Sequence, residues 1–247
     1  DDALKSFTAD EIADGTLLSF VGTSGSDNGF VKTWYDQSVT NQAGDTATGN
    51  HAVQATAASQ PKIVSAGALV VDGGIGGLDF DGGDFLIASS VSGLESPFSI
   101  FSTSVRDSNG YTASFSKSTA SNRYFGVFES SGTSIAAPRN STSGVTVAAS
   151  VSGADRLTFA VTTGETSTSV GALGGTLVNT TDDYGSDFTS GSGLDQLAIG
   201  VLRTVSPTGY FNGRIRELIF YTSDQTANRT AIEANMGEAY SIDLPSG

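Results

Sequence analysis

The chain has 247 residues, 38% of them hydrophobic, with 31 glycines and no cysteine. That is the size of one large all-β domain with a core of its own, and it excludes disulfide staples, thiolate nucleophiles and thiolate metal sites. Twelve basic against 26 acidic residues give a formal net charge of -14, which repels phosphate backbones and anionic bilayers, so neither a nucleic-acid partner nor membrane insertion is expected.

The chain opens abruptly on Asp1-Asp2 and reads as a fragment or a processed product. Thr8 and Glu11 then have capping-box spacing, in which hydroxyl and carboxylate each satisfy a helix-start N–H, and Gly15 closes that turn. Leu17, Leu18 and Phe20 are expected to pack beneath the next strand. From residue 30 the apolar period falls to two, and Phe30–Tyr35 reads as a strand. Residues 38–50 are small and polar and read as a loop.

Short strands follow at 51–56, 61–64, 69–72, 77–81 and 84–88. Pro97 introduces a strong alternating strand over 98–105, and others are predicted near 111–117, 123–129, 144–151, 156–163, 167–173, 194–201 and 210–222. Over Gly213–Tyr221 charged and apolar residues alternate, giving one wet and one buried face. A helix follows, capped by Ser223 or Asp224, with Ile232, Met236 and Tyr240 as its apolar stripe. No fixed-period repeat and no proline-rich linker divides the chain, and the Gly/Ser/Thr stretches of 162–193 read as loops. The expected fold is all-β: a two-sheet antiparallel β-sandwich or jelly roll with short N- and C-terminal helices, one domain over residues 1–247.

The segments WYDQS at 34–38, NHAVQAT at 50–56 and QPKIV at 60–64, followed by LDFDGGDFL at 78–86, PFSIF at 97–101 and the stretch 213–240, form a specific combination. It resembles the laminin-G-like, concanavalin A-like modules of bacteriophage structural proteins and of secreted bacterial polysaccharide-associated proteins. Against that family the stretch Val39–Gly49 is an insertion. Relatives often carry a strand before Asp1-Asp2, so an edge strand is expected to be missing here or supplied from elsewhere. The WYDQS segment also resembles part of the arabinofuranosidase domain built on this fold. That resemblance implies a nucleophile near 122–130, where Glu129 is the carboxylate present, and an acid in the turn that here reads Ile199-Gly200-Val201-Leu202-Arg203, with no acid in it. The paired cysteines of those enzymes are also absent.

Trp34 and Tyr35 point to opposite faces of a strand, so one enters the core. The other either packs under a loop or stacks on a sugar ring, with Asp36 and Gln37 satisfying loop backbone groups. On the functional reading, Trp34, Tyr35, Asp36, Gln37, Asn50 and His51 line a glycan groove. His51, the one histidine, sits in the family-like segment and suits a structural hydrogen bond better than a base. Oxygen-rich Asp79, Asp81 and Asp84 are candidate calcium ligands, with Asp36, Asp182, Asp183 and Asp187 as further donors, although plain solvated acids give the same pattern. A glycosidase would need two facing carboxylates from Asp79, Asp81, Asp84, Glu129 and Glu217, and no motif spacing pairs them. The Gly73–Gly77 run lacks the lysine of a phosphate loop and reads as a turn.

The expected function is a non-catalytic module on a virion or an extracellular surface, such as a phage fibre, tail or decoration domain. Its partners would be a polysaccharide or glycan surface and other virion or cell-surface proteins, including further copies of itself. The alternatives are a carbohydrate-binding module of a secreted bacterial protein and a glycoside hydrolase of arabinofuranosidase type.

Overall fold

The computed structural model describes residues 3–38, 49–89, 91, 96–139, 146–163, 167–180, 194–202 and 207–244. In chain order its helices are α1 (Ala9–Ala13), α2 (Thr16–Val21) and, after the last strand, α3 (Arg229–Tyr240). The strands are β1 (Gly29–Phe30), β2 (Thr33–Trp34), β3 (Ala52–Val53), β4 (Lys62–Ser65), β5 (Ala68–Leu69), β6 (Val71–Asp72), β7 (Ile75–Gly76), β8 (Leu78–Asp81), β9 (Leu86–Ala88) and β10 (Phe98–Ser108). They continue with β11 (Gly110–Lys117), β12 (Ala120–Ser130), β13 (Thr133–Arg139), β14 (Val147–Ser150), β15 (Asp155–Thr162), β16 (Thr168–Ala172), β17 (Val178–Thr180), β18 (Gln196–Ile199) and β19 (Asn212–Tyr221).

Two antiparallel sheets hold nearly all of these strands. The nine-stranded sheet runs β1-β4-β8-β19-β10-β15-β16-β17, with β5 paired to β4. The eight-stranded sheet runs β14-β13-β12-β11-β18-β9-β3-β2, and β6-β7 form a separate hairpin. Alternating residues of both sheets meet between them: Phe80, Phe98, Ile100, Ala160, Val170 and Ile215 from one side, and Leu86, Phe115, Phe125, Val127, Ala136 and Ile199 from the other. The rings of Phe98 and Phe125 meet edge-on at 5.0 Å at the centre of this layer.

A second apolar layer lies outside the nine-stranded sheet. Phe101, Leu157, Phe159 and Val161 pack there against Met236 of α3 and Ile242 beyond it. This explains why β10 is buried from Phe98 to Val105 without a break: its even positions face the other sheet, and its odd positions lie under the helix layer. Arg229 fixes α3 in place, donating to the Gly175 carbonyl at 2.7 Å, pairing with Glu233 at 2.9 Å and lying over the Phe159 ring.

Three local expectations change. The strand read at 30–35 is two strands in different sheets, because the chain turns a corner of the sandwich at Val31-Lys32. That corner leaves Phe30 half exposed while Trp34 packs on the core. The capping box of Thr8 and Glu11 is present and Gly15 closes that helix as expected, but Gly15 also starts a second short helix, and Phe20 is 42% exposed instead of packed beneath a strand. The last helix begins at Arg229, since Asp224 accepts the Thr226 N–H at 2.8 Å and makes a turn there instead of a cap.

Candidate binding face

The WYDQS segment ends the edge strand of the eight-stranded sheet. Trp34 lies opposite Ala52, and both face the inter-sheet core, so Trp34 is the member of the aromatic pair that turns inward. Alternation puts Thr33 and Tyr35 on the outer face, beside His51 and Val53. The Tyr35 ring meets the His51 ring edge-on at 5.1 Å, and the Tyr35 hydroxyl lies 2.8 Å from the Ser6 hydroxyl.

Asp36 organises the connection beyond. Its backbone N–H donates to His51 Nδ1 at 3.0 Å, so the imidazole proton sits on Nε2. One carboxylate oxygen accepts from the Ser38 N–H and hydroxyl at 2.9 and 2.6 Å, and the other accepts from the Asn50 N–H at 3.1 Å. Burial raises the Asp36 pKa, but these donors outweigh it and leave the pKa below the ordinary aspartate value. Asp36 therefore ties together both flanks of the inserted segment, whose residues 39–48 lie outside the described ones. Gln37 and Asn50 are exposed, and Gln37 donates to the Tyr35 carbonyl.

Strand registers extend this outer face across the sheet. Thr33, Val53, Ile87, Ala198, Ser114, Gly126 and Ala137 stand level on seven successive strands. A neighbouring row holds Gln196, Ser116, Tyr124 and Arg139, and Tyr35 and His51 stand in the equivalent row on β2 and β3.

The face has two halves. Over β18, β11, β12 and β13 it is covered: Leu202 packs on Tyr124 and Ala137, and the Ser114 hydroxyl donates to the Val201 carbonyl at 3.1 Å. Gly126 lies directly beneath the Tyr111 ring, where a methyl group would collide with it. Over β2, β3 and β9 the face is open: Val53 is 39% exposed, Thr33 and Ile87 are partly exposed, and Ser89 just past β9 is exposed. The result is a shelf with an aliphatic floor. Tyr35 and His51 stand at one end, and at the start of β9 the ring of Phe85 pairs with that of Tyr210, two residues before β19 of the other sheet. Within the covered half, Ser116 Oγ and Gln196 Nε2 are buried without a hydrogen-bond partner.

The candidate carboxylates do not converge. Glu129 is sealed between the sheets, where it accepts from the hydroxyls of Ser134 and Thr158 at 2.6 and 2.7 Å and pairs with Arg156 at 3.1 Å. Burial pushes its pKa up to about 7 against those partners. Glu217 stands opposite Thr103 on the far face of the nine-stranded sheet, hydrogen-bonded to Tyr240 of α3, and burial raises its pKa. The nine-stranded sheet therefore separates Glu129 from Glu217, and they form no facing pair.

Asp79 and Asp81 flank the core residue Phe80 on the outer side of that same sheet. Asp81 accepts the Gly83 N–H, and Asp84 accepts the Asp81 N–H at 3.1 Å, so the segment forms a self-closing turn. Asp84 is almost fully buried, and burial, with the nearby Asp81, pushes its pKa up to about 6. Among the described residues no group of three or more His, Cys, Asp or Glu is placed to hold a metal ion. Asp182, Asp183 and Asp187 lie outside the described residues.

No family model and no curated protein sequence matches this chain. Among solved structures, the Ruminococcus gnavus IT-sialidase CBM40 bound to α2,3 sialyllactose aligns over 64% of this chain and 96% of that one, with 19% identity and a TM-score of 0.53. The leech intramolecular trans-sialidase complexed with 2,7-anhydro-Neu5Ac aligns over 68% of this chain and 27% of that one, with 15% identity and a TM-score of 0.53. The fold is thus the concanavalin A-like, laminin-G-like jelly roll that the sequence resemblance implied.

Proposed function

We propose that the chain is one non-catalytic glycan-binding module that works at an extracellular or virion surface and grips its ligand on the open shelf of the eight-stranded sheet. The observation that carries this reading is the shelf itself: half-exposed Val53 on an aliphatic floor, closed at one end by the Tyr35–His51 pair. Sugars are amphipathic. Their C–H faces suit Val53, Ile87 and the Tyr35 ring, and their hydroxyls suit the polar rim of Thr33, Gln37, Asn50 and Ser89. The solved carbohydrate-binding module of the same fold, bound to a sialylated sugar, supports this class of ligand. The sealed position of Glu129 supports a module without hydrolytic chemistry.

A glycan array probed with and without calcium tests the proposal. Binding by the wild type and at least about tenfold weaker binding by Val53→Asp are expected, since that change places a charge on the floor without touching the core. No retained glycan in either condition, or full retention by Val53→Asp, would overturn it.

A further inference from the structure

The strands under the shelf come from stretches of sequence without positive charge. Residues 33–61 carry β2 and β3, and residues 85–95 carry β9. Together they contain no Lys or Arg and three acids, Asp36, Asp45 and Glu95, of which the last two lie outside the described residues. Three cations border these segments, and each is directed elsewhere. Lys32 precedes the outer-face Thr33 and alternates to the other side of the chain. Lys62 belongs to β4 of the nine-stranded sheet, level with Asp79. Lys5 is next to Ser6, which touches Tyr35, and its ammonium lies over the Phe7 ring, 4.7 Å from the centre.

The charge that does stand at the shelf is negative. Asp36 follows Tyr35 at the closed end. Burial opposes its ionisation, but the Ser38 and Asn50 donors hold its pKa below the ordinary aspartate value, so it is a carboxylate at neutral pH. Those donors engage both of its oxygens, and it therefore acts on a ligand through its field. His51 accepts the Asp36 N–H on Nδ1, which is the neutral form of the ring. The rest of the rim, Thr33, Gln37, Asn50 and Ser89, is hydroxyl and amide, able to donate and accept but not to neutralise an anion. Across the strands the open part spans β2, β3 and β9, about 10 Å at about 4.8 Å per step. A charged group on a sugar ring held there comes within about one screening length of Asp36, which is about 10 Å in about 0.1 M salt.

We infer that the shelf selects uncharged sugars: oligosaccharides of neutral hexoses and N-acetylhexosamines, and not glycans that carry a carboxylate or sulfate. This deepens the glycan reading above and rests on it. An oxyanion brought onto the aliphatic floor of Val53 and Ile87 loses water and gains no counter-charge, which is costly. It also meets Asp36 and the field of a molecule at -14. Sugar hydroxyls and acetamido groups lose little by the same move, since the hydroxyl and amide rim replaces their water partners as both donor and acceptor.

The test is an array of matched pairs, each a neutral oligosaccharide and its counterpart with one carboxylate or sulfate added, probed with the wild type and with Ser89→Lys. In about 0.01 M salt the wild type is expected to hold the neutral member at least about tenfold more tightly. In about 1 M salt, where the screening length falls from about 30 to about 3 Å, that gap is expected to narrow. Ser89→Lys places a cation on the rim and is expected to shift the ratio about tenfold toward the acidic member. Equal thermal melts for the two proteins show that the variant is folded. Equal or tighter binding of the acidic members by the wild type overturns the inference and leaves the glycan reading standing. A neutral preference that neither salt nor Ser89→Lys alters overturns it too, since shape and not charge then makes the choice. No retained glycan of any kind sinks both.

Discussion

Glu129 and Arg156 show how much a single buried pair can decide. Both side chains are inaccessible to solvent, and they join a strand of one sheet to a strand of the other. Arg156 also donates to the carbonyls of Gly153 and Ser130 at 2.6 and 3.1 Å. Glu129→Ala leaves the Arg156 guanidinium and the Ser134 and Thr158 hydroxyls buried without their shared acceptor, and a loss of about 3–5 kcal/mol of stability is expected in chemical denaturation, with glycan binding by the folded fraction unchanged. A loss of binding without a loss of stability would reassign Glu129 to the site. Asp36 acts at the surface instead. Asp36→Ala frees the Ser38 and Asn50 N–H groups, and faster proteolysis between them at an unchanged global midpoint is the expected outcome. The loop-bracing role of Asp36 was legible from its position after two strand residues. The partner of Glu129 was not, since no local pattern marks a contact made between two sheets.

Elements were legible where one face was clearly apolar. The stripe of Ile232, Met236 and Tyr240 predicted the helix packing that is found, whereas the wet face expected over Gly213–Tyr221 is absent past the bulge at Arg216, where Leu218 and Phe220 face the inter-sheet core and Ile219 and Tyr221 pack in the α3 layer. Met236 is 1% exposed, so Met236→Ala is expected to cost about 2–5 kcal/mol and to loosen α3 from the nine-stranded sheet, read as faster amide exchange along Phe101 and Phe159. Unchanged stability there would mean that the helix is not part of the folded core. The Phe30–Tyr35 stretch misled because its uninterrupted β-propensity carries no sign of the corner at which the chain leaves one sheet for the other. The binding face was only half legible. Tyr35 and His51 came from a recognisable segment, but Val53, Ile87, Gln196, Ser116, Tyr124 and Arg139 share that face through register alone, and pairings such as β9 with β18 join residues more than a hundred positions apart.

At the scale of the whole molecule, acidity governs both stability and partners. Asp84 and Glu129 hold protons more tightly in the folded chain than in the unfolded one, with pKa values raised from 3.8 to about 6 and from 4.5 to about 7. Their contribution to stability is therefore fully present below the unfolded values and is lost as pH rises through 6 and 7. Burial moves Asp79, Glu217 and Glu233 the same way, and among the described carboxylates with a resolved shift only Asp14 and Asp36 move oppositely. Deprotonation also deepens the self-repulsion of a chain already at -14. The melting temperature is thus expected to be higher at pH 5 than at pH 8, and the reverse order would contradict these assignments.

On the proposed function, the outer face of the eight-stranded sheet and no other surface receives the glycan. A two-dimensional NMR titration of the labelled chain with the glycan that an array retains best checks this. Perturbed amides are expected to cluster on Thr33, Tyr35, His51, Val53, Ile87 and Gln196. Perturbations confined to α3 and the nine-stranded sheet would contradict it.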